Sequence, residues 1–312
     1  MKKLLLTLLT ALFLVNISFA QVTEKEEDLK TLSNDTTEGW EKGGVFSLTF
    51  GQTGFSEYWK AGGTNSISSN MVAGLFANLK KGNLTWDNTL DLGYGTQGLK
   101  TGDEYNFQKT DDKFDFASKL GIKAAKNLYY AALLNLKSQF TNGYEYPNDS
   151  VSISGFMSPG YLLAAAGIDY KPNKHLTVFI APLTSKTTFV FDQQLADIAS
   201  YGVEPGENIR NEFGGYLKTV FTRDIVKNVN LSTKLGLFSN YLHNPQNIDV
   251  NWEVLIAMKV NKFITANIST QLLYDDDIKF NIKDENGIII PGKVGPRTQF
   301  KEILGIGLSF KF

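Results

Sequence analysis

Residues 84–94 read Leu-Thr-Trp-Asp-Asn-Thr-Leu-Asp-Leu-Gly-Tyr. Leu84, Trp86, Leu90, Leu92 and Tyr94 fall on one set of alternate positions, with only Asn88 interrupting, and Thr85, Asp87, Thr89, Asp91 and Gly93 fall on the other. Side chains on a strand point alternately to opposite faces, so this period of two predicts a strand with one oily and one polar side. A single such strand is common in soluble sheets. Its repetition along the chain is what decides the fold.

The pattern returns in Met71 to Leu79, Phe114 to Ile122, Tyr130 to Phe140, Leu162 to Tyr170, Leu176 to Ile180, Val229 to Tyr241, Val250 to Val260 and Ile264 to Tyr274. It is weaker around Phe46, Leu48 and Phe50 and around Phe213, Leu217 and Phe221. The last strand sets Leu304, Ile306, Leu308, Phe310 and Phe312 outward and Gly305, Gly307, Ser309 and Lys311 inward. A chain ending on an aromatic residue of an alternating strand resembles the C-terminal signature of outer-membrane barrels. That resemblance implies that the strand ending at Phe312 is read by the barrel-insertion machinery.

Connections between these strands alternate in length. Short ones are 80–83, 171–174 and 261–262, and long ones are 95–112, 141–155, 184–210 and 275–297. Short periplasmic turns and longer external loops are the arrangement of an outer-membrane barrel, with an even strand number and both ends on the periplasmic side. An oily outer belt also demands closure, because an open edge would leave backbone groups unpaired in hydrocarbon. Tyr94, Tyr130, Tyr170, Tyr241 and Tyr274, toward strand ends, fit interfacial girdles. The expected fold is therefore all-β, a transmembrane antiparallel up-and-down barrel of about twelve strands over 44–312. The competing reading, a secreted soluble sheet, predicts a buried face rich in large side chains. The outward faces here carry many alanines.

The N-terminus sets the compartment. Lys2 and Lys3, the apolar run from Leu4 to Val15, and Ser18 and Ala20 at small-residue positions predict a signal peptide over 1–20, cleaved after Ala20. The run is too short for a membrane anchor. The chain has no cysteine for a lipid or a disulfide. Residues 21–43 are expected to form a flexible periplasmic segment, with Glu24, Glu26, Glu27 and Asp28 near its start. Loss of Lys2 and Lys3 leaves 29 bases against 32 acids, a net charge of −3 that argues against a nucleic-acid partner. Mean hydropathy is −0.16, a value compatible with a barrel because the wall hides its apolar residues at alternate positions.

Trp40 with Gly43 and Gly44, Trp59 with Gly62 and Gly63, and Ala181-Pro182-Leu183 before Lys186 resemble an uncharacterised, domain-of-unknown-function family of signal-bearing barrel proteins from Bacteroidota. The stretches 238–241, 248–252 and 274–277 are similar to the same family, so the resemblance covers nearly all of the mature chain. It implies an outer-membrane barrel and, since the family has no established activity, no chemistry.

The chain offers little for catalysis. His175 lies beside a short turn, and His243 has Pro245 where barrel lipases resemble one another in carrying a serine, so no enzyme activity is expected. Asp275, Asp276 and Asp277 have oxygens suited to a hard cation, but their spacing matches no calcium loop, and no cofactor or metal is expected. The inward charges are more informative. Asp87, Asp91, Asp115, Asp169, Asp249 and Glu253 share the expected lumen with Lys119, Lys123, Lys137, Lys218, Lys234, Lys259 and Lys311. Two readings follow: a passive channel or small-solute transporter, or a plugged barrel whose external loops engage a partner. A lipid enzyme is the weakest third. The surrounding partner in each case is outer-membrane lipid.

The register is testable by cysteine labelling. A lipid-soluble maleimide should modify Val254→Cys and Ile256→Cys, and a lumen-restricted reagent should modify Asp249→Cys and Glu253→Cys. The reverse pattern would displace the register by one residue.

Overall fold

The computed structural model describes residues 38–311, except 57, 59, 61, 62, 262, 263, 286 and 287. The expected signal peptide, nearly all of the segment after it, Trp59, Gly62 and Phe312 lie outside the described residues. In chain order the strands begin with β1 (Gly39–Thr53), β2 (Ser66–Lys81), β3 (Leu84–Thr101), β4 (Glu104–Ala125) and β5 (Leu128–Ser138). After the short β6 (Gly143–Tyr144) and β7 (Ser152–Ser154) come β8 (Gly160–Asn173) and β9 (Leu176–Phe189). A five-residue helix, α1 (Gln193–Asp197), precedes β10 (Ile209–Val226), β11 (Val229–Asn240), β12 (Ile248–Lys259) and β13 (Ile264–Tyr274). The hairpin β14 (Lys279–Lys283) and β15 (Ile289–Pro296) leads to β16 (Gln299–Lys311).

Twelve of these strands close into one antiparallel barrel, each beside its sequence neighbour in the wall, with β1 sealing against β16. Among the described residues the closing seam joins Val45–Thr49 to 307–311, five residue pairs, whereas β1 and β2 share fifteen. Turns at one end are as short as two residues, at Lys126-Asn127 and Lys227-Asn228. Only the second residue of each turn is left-handed, Asn127 at φ 62° and Asn228 at 65°, and the register shifts just before it, at Lys123/Ala125 and Asp224/Val226, so a bulge accompanies each reversal.

The outer face is apolar and open. Leu304 is 70 % exposed and Ile306 63 %, while the residues between them face inward. Exposed aromatics cluster in two bands. Trp40 stacks on Trp86 at 5.7 Å, with Tyr130 and Tyr170 nearby in the turn-end band, and Phe213 meets Tyr241 at 6.0 Å and Phe114 meets Phe140 at 5.9 Å toward the loop end. Two aromatic girdles around an apolar belt are the surface of a barrel that sits in lipid.

Several boundaries differ from the sequence reading. β1 starts at Gly39, five residues before the expected 44. The expected loop 95–112 is instead a paired ribbon, in which β3 and β4 run on to a turn at Gly102. Beyond the lipid a strand has no reason to alternate oily and polar, so the ribbon is silent to a period of two. The strands around Phe46 and Phe213, faint in sequence, are full wall strands.

Pro182 lies inside β9, where a proline cannot donate to the ladder. The wall accommodates it with a bulge: the register shifts between Ala166 and Ile168 on one side and between Gly214 and Tyr216 on the other. Both Pro182 and Leu183 are exposed while Ala181 and Thr184 are buried, so the bulge adds an outward residue and reverses the alternation beyond it. The neighbouring backbone closes in. A Cβ on Gly167 would lie 2.0 Å from the Ile180 carbonyl oxygen, and one on Gly214 2.0 Å from that of Ser239. Gly167→Val should therefore destabilise the barrel by about 3 kcal/mol or more, read as a lower temperature for loss of the heat-modifiable band on gels. An unchanged transition would mean that the bulge is not held as described.

Candidate functional site

In the lumen, charged side chains from many strands converge. On its middle level five carboxylates face five lysines. Lys113 Nζ donates to Glu253 at 3.0 Å and Lys234 Nζ to Asp91 at 3.0 Å. Each of these pairs joins strands six places apart in the twelve-strand ring, β4 with β12 and β11 with β3, so each spans the lumen from wall to opposite wall. Lys119 reaches Asp169 at 2.6 Å, Lys171 reaches Asp87 at 3.2 Å, and Lys137 lies 3.5 Å from Asp115 and 4.0 Å from Glu253. Asn135 adds a donor to Asp115 at 2.6 Å. Charges withdrawn from bulk water need such partners.

One arc of the interior carries an apolar cluster among these charges. Ala131, Leu133, Ala165, Phe179 and Ala181 form a buried apolar cluster against Ala117, Leu163 and Tyr216. Tyr129 lies beside it with the Lys171 ammonium 5.3 Å from its ring. The opposite arc is lined by small residues: Gly74, Gly93, Gly305 and Gly307, with Ser47 and Thr49. Here Val72 and Thr89, on the inward face, remain exposed. The lumen is packed on one side and, Phe76 apart, lined by small side chains on the other.

Above the middle level a collar binds the loops together. Lys186 Nζ contacts Asp249 at 2.7 Å, Asp275 at 3.1 Å and Glu212 at 3.4 Å, and lies 5.2 Å over the Phe238 ring. Arg210 bonds Glu212 at 2.7 Å, the Gly202 carbonyl at 3.1 Å and also Asp277. Asn247 donates to Asp276 at 2.7 Å. The three aspartates once weighed as cation ligands are thus engaged with separate partners. Among the described residues no His, Cys, Asp and Glu group has the arrangement of a metal site. Loop 190–208 has its own core of Val190, Leu195, Ala196 and Val203, with α1 capped by Asp192, and Tyr201 Oη donates to the Ile153 carbonyl at 2.6 Å.

Of the residues read as lumenal, Asp87, Asp91, Asp115, Lys119, Lys137, Asp169, Lys234 and Glu253 meet on the middle level, and Asp249 joins the collar. Lys123 is exposed near the turn end, and Lys259 closes β12 at that same end. Lys218 is partly buried at mid-height. Lys113, Lys171, Lys186, Arg210 and Glu212 were missed. Lys113 keeps the alternation of Asp115 and was legible. Lys171 falls in the short 171–174 connection by its sequence, yet it closes the barrel end of β8 and is buried against Asp87. Lys186 was hidden by the Pro182 bulge: counted from Leu176, Val178 and Ile180 it falls on the oily face, and only the extra outward residue turns it inward.

His175 lies against β10, its Nδ1 2.9 Å from the Thr222 carbonyl oxygen. His243 is exposed beside Asn244.

Comparison with known families matches residues 50–144 to a family described as "Protein of unknown function (DUF3078)". The match covers less of the chain than the sequence resemblance does. No curated protein matches. Among solved structures, the chain is similar to an outer membrane channel from Pseudomonas putida F1, at 12 % identity and TM-score 0.38, covering 88 % of this chain and 96 % of that one. It is also similar to the translocator domain of an autotransporter from Neisseria meningitidis, at 12 % identity and TM-score 0.34 over 88 % and 90 %. Outer membrane phospholipase A from Escherichia coli aligns at 12 % identity and TM-score 0.30 over 92 % and 97 %. Scores this low carry no argument about activity.

The collar is sensitive to pH. Burial pushes the Asp275 carboxyl up, but the Lys186 ammonium, its hydrogen bond and the Asp277 amide outweigh that and hold it below its ordinary 3.8. A depressed carboxyl stabilises the fold above its unfolded value and loses that contribution as the pH falls through the folded one. Protease cleavage within 275–298 should therefore stay slow at neutral pH and accelerate below about pH 4. Asp275→Asn should bring faster cleavage at pH 7. Equal rates for both proteins at both pH values would remove the collar as the clamp on this loop.

Proposed function

We propose that this chain is a bacterial outer-membrane barrel whose lumen is a narrow conduit for small polar solutes, constricted by paired charges. The observation that carries the reading is that Lys113–Glu253 and Lys234–Asp91 bridge opposite walls while Val72 and Thr89, on the inward face of the arc beside them, remain exposed. The apolar belt and two aromatic girdles support the membrane, and the signal peptide expected over 1–20 supports export to it. The final strand is the segment for recognition by insertion machinery. The reading assigns no catalytic step: His243 stands in an exposed loop with no serine at the lipase position.

A second reading, a plugged barrel that binds a partner through its loops, is favoured by the folded cap over 190–208 and its bonds to the other long loops. Electrical recording separates the two. Purified protein in planar bilayers should show small, steady conductance, and Lys113→Ala with Glu253→Ala should raise it several-fold by removing a strut without leaving either charge unpaired. Silence from both proteins despite confirmed insertion would overturn the conduit and leave the binding barrel.

A further inference from the structure

The five middle-level pairs match one lysine to one carboxylate: Lys113 to Glu253, Lys119 to Asp169, Lys137 to Asp115, Lys171 to Asp87 and Lys234 to Asp91. Lys218 is left over. It sits midway along β10, opposite Phe179 of β9 and Gly236 of β11, neither of which offers a side-chain acceptor. Among the described residues its ammonium has no ion pair and no hydrogen bond. The charged groups around it are Asp115, already held by Lys137 and Asn135, and the three ammoniums of Lys234, Lys137 and Lys119. A sixth cation among ten matched charges is a surplus that water in a constricted lumen screens poorly.

The two mouths differ in the same sense. At the turn end Lys81, Lys126, Lys174 and Lys227 stand exposed, one on or beside each of four successive turns, with Lys123 and Arg223 also exposed there, against the acids Glu38, Glu41 and Asp224. At the loop end the collar sets Lys186 and Arg210 against Glu212, Asp249, Asp275 and Asp277, an excess of acid. A net excess of one sign at a mouth concentrates ions of the other. Anions are drawn in at the turn end and turned back at the collar.

We infer that Lys218 forms a lumenal subsite for a small monovalent anion, such as chloride or a carboxylate, entered from the turn end. The inference deepens the conduit reading by naming its solute class, but binding at Lys218 does not itself require conduction. The anion supplies the missing sixth negative charge, with Lys234, Lys137 and Lys119 as its neighbours.

Two measurements on the full-length protein test it. Crystals grown in bromide should show an anomalous peak beside the Lys218 ammonium in the wild type and none in Lys218→Gln. Under a potassium chloride gradient, the wild-type reversal potential should have the sign of chloride preference, reduced or inverted in Lys218→Gln and retained in Lys218→Arg. A bromide peak with electrical silence upholds the subsite and sinks the conduit. Conductance without preference and without a peak upholds the conduit and sinks the subsite. Should Lys218→Gln fail to fold, absence of bromide from the wild type alone overturns the inference.

Discussion

The pairing of every backbone N–H and C=O within the wall is the constraint on which the rest of this structure depends. In hydrocarbon an unpaired group costs several kcal/mol, so the sheet must close and each disturbance of the ladder must be absorbed locally. Pro182 is such a disturbance. Its missing donor is taken up by a bulge, the bulge brings the Ile180 carbonyl against the neighbouring strand, and that approach leaves room only for Gly167. One residue thus fixes the identity of another across the ladder and determines that Lys186 points into the collar rather than into lipid.

The interior solves a different problem. A ring of twelve strands encloses more space than its side chains fill evenly, and the chain fills it in two ways. Along β5, β8 and β9 the inner face is packed with alanines and aromatic rings much as a soluble core is. Lysines then reach from wall to wall and find carboxylates, so the charges act as struts as well as lining. The far arc is built mostly from glycines and small hydroxyl residues, and there Val72 and Thr89 stay exposed.

Most of this architecture was legible because lipid imposes alternation. Closure, the even strand number and the short turns at one end all follow from a period of two. What escaped the reading lies where that rule lapses. The β3–β4 ribbon stands beyond the lipid, so neither face needs to be oily. β5 is apolar on both faces at Tyr129, Ala131 and Leu133, so alternation could not report that its inward side is packed. The lumenal charges on unbroken strands were readable one by one, but their partners were not, since Asp91 and Lys234 are 143 positions apart. Pairing across a ring depends on register all the way round, which no local pattern contains.

The seam between the first and last strands has a consequence for how long the closed form endures. A cylinder fails along its weakest line, and here that line is five residue pairs long while its neighbour carries fifteen. The lifetime of the folded barrel is therefore set by the shortest ladder rather than the average one, because opening there releases the whole circumference at once. The extended ribbon and the strong central ladders add to equilibrium stability, yet they cannot lengthen that lifetime. The first and last strands of the barrel act as its clasp.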